Sequence, residues 1–426
     1  MQRVFVLDHN REPLMPCNSA RARKMLKIGR ATVFRHKPFT IILKDRVGGS
    51  VQPVSVKIDQ GAATTGIALV ADFERGKRCV WGANLTHKGF LIKDSLKGRR
   101  EIRRGRRTRK LRYRPARFMN RRRKFNKLGE GNKWLPPSLR SRIDNISHWA
   151  RRLKKLAPIT GLALENVKFD TQKMENPEIS GVEYQQGTLA GYEIREYLLE
   201  KWGRKCAYCG AKNVPLQIEH ITPKSRGGSN RVDNLTISCG PCNQKKNNQT
   251  AGEFGYQNIQ KTAKRSMRDT AAINAMRWEL YYALLEIGLP VELGSGGRTK
   301  YNRTIQNYEK DHWIDAACIG QSGESVYIAR DHSPLIIKAV GRGNRQMCST
   351  DKYGFPKQYR SNQKRNFGFQ TGDIVRANVL RGKYFGVHIG RITIRAKPSF
   401  WFASGRFNVH KKYLILLQRC DGYKYD

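Results

Sequence analysis

From Val54 to Ala71 the chain alternates, with Val54, Val56 and Ile58 leading up to Asp59 and Ile67 to Ala71 returning after Gly61. A period of two on either side of a glycine predicts an antiparallel hairpin, with Asp59 at the tip of its first strand. Upstream, residues 1–50 read as a small module: a strand over Val4 to Leu7, a short basic helix from Ala20 to Leu26, and a strand from Phe39 to Leu43 before the turn at Gly48-Gly49. The run ITGLALE, residues 159–165, suits a buried strand that delivers Glu165 to its end. Tyr184 to Trp202 and Met267 to Ile287 read as helices, the second stopped by Gly288 and Pro290. His312 and Asp315, three apart, share one face of a further helix. Short apolar runs at 374–379, 384–395, 400–402 and 413–417, separated by glycine and basic turns, predict a small β-barrel. The fold class is therefore α/β and multidomain.

Charge changes this picture most. Against 34 acidic residues stand 82 basic ones, a net +48 that would repel itself in a compact chain unless a polyanion neutralised it. The expected partner is nucleic acid. No apolar run is long enough to span a bilayer and the first residues lack a signal-peptide pattern, so a cytoplasmic protein with no membrane partner is expected. The charge is densest from Lys97 to Lys127, where the only acid is Glu101. Arg99, Arg100, Arg103, Arg104, Arg106, Arg107, Arg109, Lys110, Arg112 and Arg114 would surround a helix that Pro115 interrupts. Such a helix, roughly 24 Å long at about 1.5 Å per residue, could follow a phosphate groove.

Four of the nine cysteines form two Cys-x-x-Cys pairs, Cys206 with Cys209 and Cys239 with Cys242. Two such knuckles close a tetrahedral Zn²⁺ site with no position open for chemistry, so the zinc is structural. Between them lie Glu219-His220 and Asn234, and Asn243 follows the last cysteine. This order resembles the HNH, or ββα-metal, endonucleases. The resemblance implies that His220 is the general base, that Glu219 and Asn243 are oxygen ligands for Mg²⁺, and that Asn234 orients the histidine loop; Asn247 is the alternative to Asn243. A neutral imidazole can take a proton from water near pH 7, and a hard cation can stabilise a departing 3′ oxygen.

A second set is dispersed: Asp59, Glu165, and Asp315 with His312. Three carboxylates converging at one end of a sheet would bind two Mg²⁺ about 4 Å apart, as in-line phosphodiester hydrolysis requires. KIDQGAATTGIAL, LALENVKF and HWIDAA resemble the three motifs of RuvC nucleases of the RNase H-like fold, with Gln60 where a proline is frequent. In that resemblance Asp59, Glu165 and Asp315 hold metal and His312 is the candidate base.

With the HNH insert between the second and third motifs, an arginine-rich helix between the first and second, and Pro13-Leu14-Met15-Pro16 near the start, the chain resembles the IscB family, transposon-encoded relatives of the type II CRISPR effector nucleases. The implied organisation is a PLMP domain at 1–50, RuvC parts at 51–93, 131–202 and 256–330, a bridge helix at 94–130, an HNH domain at 203–255, and a basic β-rich domain at 331–426 that reads a short target-adjacent motif. The family further implies a guide, called ωRNA, and a double-stranded DNA target, with the HNH site cutting the guide-paired strand and the RuvC site the displaced one. The protein would be a monomer in its ribonucleoprotein. Two other readings remain at this stage: an unguided HNH or junction-resolving nuclease, and a non-catalytic RNA-binding zinc protein.

Overall fold

The structure, a computed structural model, describes residues 3–108, 135–166, 195, 198–199, 201–230, 232–263, 268–341, 348–352, 355–359 and 364–425. They belong to two compact units, one of Met1–Asn166 with Met276–Asp426 and one of Val167–Ala275. Among the described residues no helix is long and apolar enough to cross a membrane.

The N-terminal module holds β1 (Val4–Leu7), β2 (Pro13–Cys17), α1 (Ser19–Lys27), β3 (Ala31–Arg35) and β4 (Thr40–Leu43), paired in the order β2-β1-β4-β3. Sequence periodicity picks out β1, α1 and β4 and misses β2 and β3. Pro13 and Pro16 hide β2, but it is an edge strand, where a missing N–H is harmless. Asn18 caps α1 by accepting from the Ala20 N–H at 3.0 Å.

The expected hairpin is β5 (Val54–Asp59) and β6 (Thr64–Phe73), continued by β7 (Gly76–Thr86). Next come α2 (Gly89–Thr108), α3 (Pro137–Lys154) and β8 (Ile159–Glu165). The arginine-rich helix thus starts eight residues before the charge run, because the segment from Gly89 packs against α3. Arg99, Arg100, Arg103 and Arg104 are exposed on α2; Arg106 and Arg107 fall within it; Arg109, Lys110, Arg112 and Arg114 lie outside the described residues, as does most of the helix expected from Tyr184 to Trp202.

The second unit contributes β9 (Leu216–His220), β10 (Leu235–Cys239), α4 (Gly240–Lys246) and α5 (Asn258–Ala263). Then α6 (Arg268–Leu285) leads back to β11 (Val291–Gly294), α7 (Gly296–Ile305), α8 (His312–Ala317), β12 (Val326–Tyr327) and β13 (Leu335–Ala339). Last come the short strands β14 (Cys348–Thr350), β15 (Pro356–Tyr359), β16 (Arg365–Asn366) and β17 (Phe369–Gln370), a sheet of β18 (Ile374–Val379), β19 (Gly386–Thr393), β20 (Ser399–Phe402), β21 (Phe407–His410) and β22 (Leu414–Gln418), and β23 (Tyr423–Tyr425).

The large sheet runs β11-β8-β5-β6-β7-β13-β23, with β12 also on β7. β5, β6 and β7 are antiparallel, while β8 lies parallel to β5 and β11 parallel to β8. One face buries Val56, Ile58 and Leu69 with Ile146, Trp149 and Leu153 of α3 and Leu280 and Leu284 of α6. On the other, Ala68, Val70 and Ala163 meet Trp313 and Ala316 of α8. Burial on both faces is why these strands read as nearly continuous apolar runs.

The boundary expected at residue 331 moves. β13 and β23 pair with the large sheet, and Tyr423 and Tyr425 meet the edge of the Trp149 ring, so both ends of the 331–426 segment join that core. What remains pairs in the open order β21-β20-β19-β18-β22 around Val375, Phe400, Phe402 and Val409. Among the described residues this pairing does not close the expected barrel.

Candidate active sites

In the first unit, β5 and β8 run parallel with Ile58 opposite Leu164, so Asp59 and Glu165 emerge side by side from the same end of the sheet. α8 brings the other two groups. It lies directly on β6 and β7 because both present glycine: a Cβ on Gly66 would sit 1.8 Å from the His312 carbonyl oxygen, and one on Gly82 2.4 Å from the Trp313 ring. Asn84 fixes the first turn of α8, donating to Asp311 Oδ1 at 2.8 Å and accepting from the Trp313 N–H at 3.1 Å. His312 Nδ1 then lies 2.9 Å from Asp59 Oδ2.

The three carboxylates sit in one buried cluster, with Asp59, Glu165 and Asp315 exposed by 9, 8 and 9%. Burial would raise Asp59, but hydrogen bonds from His312 and Glu165 prevail and hold it below the usual carboxylate range. Burial, then the charge of Asp59, pushes Glu165 well above the usual carboxylate range. Burial and Asp59 raise Asp315 to about 6, against the pull of Arg303, whose Nε lies 2.7 Å from Asp315 Oδ1. Carboxylate oxygens of this kind suit a hard divalent cation once they are deprotonated.

The turn after Asp59 has its own braces. Arg142, buried in α3, donates to the Ala62 carbonyl at 2.7 Å, and Thr65 Oγ1 lies 2.9 Å from His87 Nε2. Burial pushes His87 down to about 3, so this imidazole is neutral.

In the second unit β9 and β10 pair antiparallel with His220 opposite Leu235, and α4 follows β10 directly, giving a ββα arrangement. The sulfurs of Cys206, Cys209, Cys239 and Cys242 all lie within 4.8 Å of one another, with Cys209 and Cys239 at 3.7 Å. Tetrahedral zinc with bonds of about 2.3 Å separates its sulfurs by about 3.8 Å. The four thiols fit Zn²⁺.

Asn234 stitches the loop after His220, accepting from the Thr222 N–H at 2.9 Å and donating to the carbonyls of Thr222 and Ser229 at 3.0 and 2.9 Å. His220 Nε2 lies 2.9 Å from Asn230 Oδ1; with that oxygen accepting, Nε2 carries the proton and Nδ1 is the basic nitrogen. Asn243 reaches back to β9, donating to Gln217 Oε1 at 2.8 Å. Asn247, the alternative to Asn243, is the exposed residue that ends α4.

Glu219 departs from the expected open ligand. It is 6% exposed, and its oxygens accept from Lys246 Nζ at 2.6 Å and Tyr208 Oη at 2.5 Å. Lys246 also donates to the His220 carbonyl at 2.8 Å. A cation reaching Glu219 has to displace this ammonium. Sequence reasoning misses Lys246 and Tyr208, although Lys246 follows Asn243 by three residues and so shares its helix face. Asn84 and Arg303 carry no comparable signal, since only the packing of α8 brings them to the carboxylates.

Residues 206–249 match the family described as HNH endonuclease, and residues 4–187 match the family described as RRXRR protein. The second unit therefore contains an HNH domain. No curated protein matches. Solved structures similar to the chain include crystal structures of Streptococcus thermophilus Cas9 in complex with AGAA, GGAA and AGGA PAMs, at 12, 13 and 13% identity and TM-scores of 0.22, 0.22 and 0.23. Each match covers 61% of this chain and 32% of the Cas9 chain, so the protein spans about a third of the length of these relatives.

Proposed function

We propose that the protein is an RNA-guided double-stranded DNA endonuclease of the IscB type with two separate Mg²⁺-dependent centres. The observation that carries this reading is the meeting of Asp59, Glu165 and Asp315, far apart in sequence, beside His312 in a chain that also has an HNH domain. The sheet supports it: three antiparallel strands followed by two parallel ones, in the order β7-β6-β5-β8-β11, is the arrangement expected of an RNase H-like nuclease core split by an insert.

At the first centre Asp59, Glu165 and Asp315 hold the cations, and Asp59 fixes the His312 tautomer. With Nδ1–H given to Asp59, His312 Nε2 is the nitrogen that takes a proton from attacking water. In the HNH domain His220 Nδ1 has that role, Asn234 holds its loop, and Asn243 and Glu219 would supply oxygens to a cation, Glu219 only with the Lys246 ammonium displaced. Bound Mg²⁺ supplies charge stabilisation for the phosphodiester and its leaving oxygen. The HNH centre acts on the guide-paired strand and the carboxylate centre on the displaced one.

Guidance rests on charge. A net +48 and a helix exposing Arg99, Arg100, Arg103 and Arg104 suit the phosphates of a structured RNA, contacts that position without reading sequence. The sheet of β18 to β22 is the candidate reader of a target-adjacent motif. The assembly is proposed to be one protein chain per RNA in a prokaryotic cytoplasm. The test is to sequence RNA that co-purifies with the protein, then challenge the complex with Mg²⁺ and a matching DNA library with randomised flanks. Cleavage only of matched targets beside one short motif is expected; cleavage by RNA-free protein at the same sites would contradict guidance.

A further inference from the structure

At the end of the large sheet away from the carboxylates, the β6–β7 turn forms one wall of a cavity of about 440 Å³ lined by Arg3, Phe73, Arg75, Lys77, Arg78 and Tyr327, with Gln52, Glu74 and Gly76 completing it. Val54 pairs with Ala71 at this end and Asp59 with Gly66 at the other, so five strand residues, about 17 Å, separate the cavity from the candidate catalytic cluster.

Its chemistry is lopsided. Four cations face one carboxylate, Glu74, and among the described residues none of the four forms an ion pair. Arg3, Lys77 and Arg78 are half-buried, and Arg3 donates to the Pro16 carbonyl at 3.3 Å. Burial, then the charge of Arg78, holds Arg3 below the usual guanidinium range. β12 pairs with β7 at Lys77 and Arg78, setting the Tyr327 ring 4.9 Å from the Arg78 guanidinium. Tyr327 nevertheless remains 57% exposed. A surplus of cations beside a largely exposed tyrosine suits a nucleotide: a phosphate answers the first and a base stacks on the second.

We infer that this cavity binds one nucleotide of single-stranded RNA, its phosphate among Arg3, Arg75, Lys77 and Arg78 and its base on Tyr327. The inference rests on the reading of the protein as RNA-bound and adds an anchoring point that neither nuclease centre contains. Stacking supplies most of the selectivity for an unpaired base, since every base has a π-face and a duplex offers none.

The test uses the full chain and a 20-nucleotide RNA carrying 5-iodouridine, which photocrosslinks to aromatic residues. Crosslinked peptides are mapped by mass spectrometry. A crosslink at Tyr327 is expected, and the affinity of Tyr327→Leu for the same RNA should fall roughly five-fold or more, the loss expected of one stacked base. Arg75→Gln, at an exposed turn position, should lower the slope of log affinity against log salt by about 0.7 while folding normally. Competition by millimolar AMP would mean that a free nucleotide satisfies the cavity; competition only by unlabelled RNA would mean that the nucleotide must be part of a strand. Crosslinks confined to other segments, or an RNA affinity that ignores both substitutions, would overturn the inference. Loss of guided cleavage with the Tyr327 crosslink intact would instead strike at the proposed function and leave the cavity assigned.

Discussion

Gly66 and His312 touch backbone to backbone: a Cβ on Gly66 would lie 1.8 Å from the His312 carbonyl oxygen. The seating of α8, and with it the position of His312 and Asp315, thus depends on a missing methyl group in β6.

Gly66→Ala should therefore push α8 off the sheet and part His312 from Asp59. Displacements of about 1 Å at a reacting group cost about 100-fold in rate, and overpacking costs about 1–3 kcal/mol in stability. Displaced-strand cleavage is expected to fall by about two orders of magnitude with HNH cleavage retained, read on strand-specific labels. Equal loss at both strands would mean that the substitution acts through global unfolding.

Asp315 gives a pH signature to the metal-free protein. Its carboxyl, raised to about 6 by burial and Asp59, binds its proton more tightly in the folded state than in the unfolded one. Native stability contributed by this group is therefore gained as pH falls from above 6 towards 4, and lost as pH rises through the folded value. Asp315→Asn should stabilise the first unit by on the order of 2–3 kcal/mol at pH 8 and by little at pH 4. Chelator-treated thermal unfolding across this range measures it; a pH-independent difference would mean that Asp315 is not held in the charged cluster.

Lys246 and Glu219 are a buried pair, their side chains 0 and 6% exposed. Removing one partner of such a pair costs about 3–5 kcal/mol, because the other charge stays buried alone. Lys246→Met should destabilise the second unit by that amount, and Glu219→Gln added to it should recover much of the loss. If Glu219 accepts a divalent ion once Lys246 leaves, Mg²⁺ will raise the unfolding midpoint of Lys246→Met more than that of the parent. Identical Mg²⁺ responses would argue that Glu219 is only a brace for the histidine strand.

Cys206→Ser with Cys209→Ser should abolish the bound zinc and unfold the second unit, since structural zinc contributes on the order of 10 kcal/mol to small domains. Elemental analysis is expected to give one zinc per parent chain and none per variant. Zinc retained at full occupancy would refute the four-sulfur assignment.

Much of this was legible in the chain. Alternation at Val54, Val56 and Ile58 gives β5 and leaves Asp59 at its end, and the apolar run to Glu165 gives β8, because period-two patterns and buried runs are local signals. The cysteine knuckles follow from spacing, and the His220 loop from the resemblance to HNH endonucleases. What escapes is non-local. Pro13 and Pro16 conceal β2 because edge status is decided by the partner strands, and β13 and β23 look like part of the C-terminal sheet until the pairing of β13 with β7 and of β23 with β13 is known. Nor does spacing reveal that Glu219 is neutralised from within, since the Lys246 ammonium reaches it only when α4 folds back over β9.

The central claim is that one RNA-loaded chain carries two independent phosphodiester-cutting centres. Its most direct test is strand-resolved cleavage of a matched duplex by the ribonucleoprotein with Mg²⁺, comparing parent, Asp59→Ala and His220→Ala. The parent is expected to cut both strands, Asp59→Ala only the guide-paired strand, and His220→Ala only the displaced one. Loss of both cuts on either substitution, with RNA still bound and the protein folded, would contradict it.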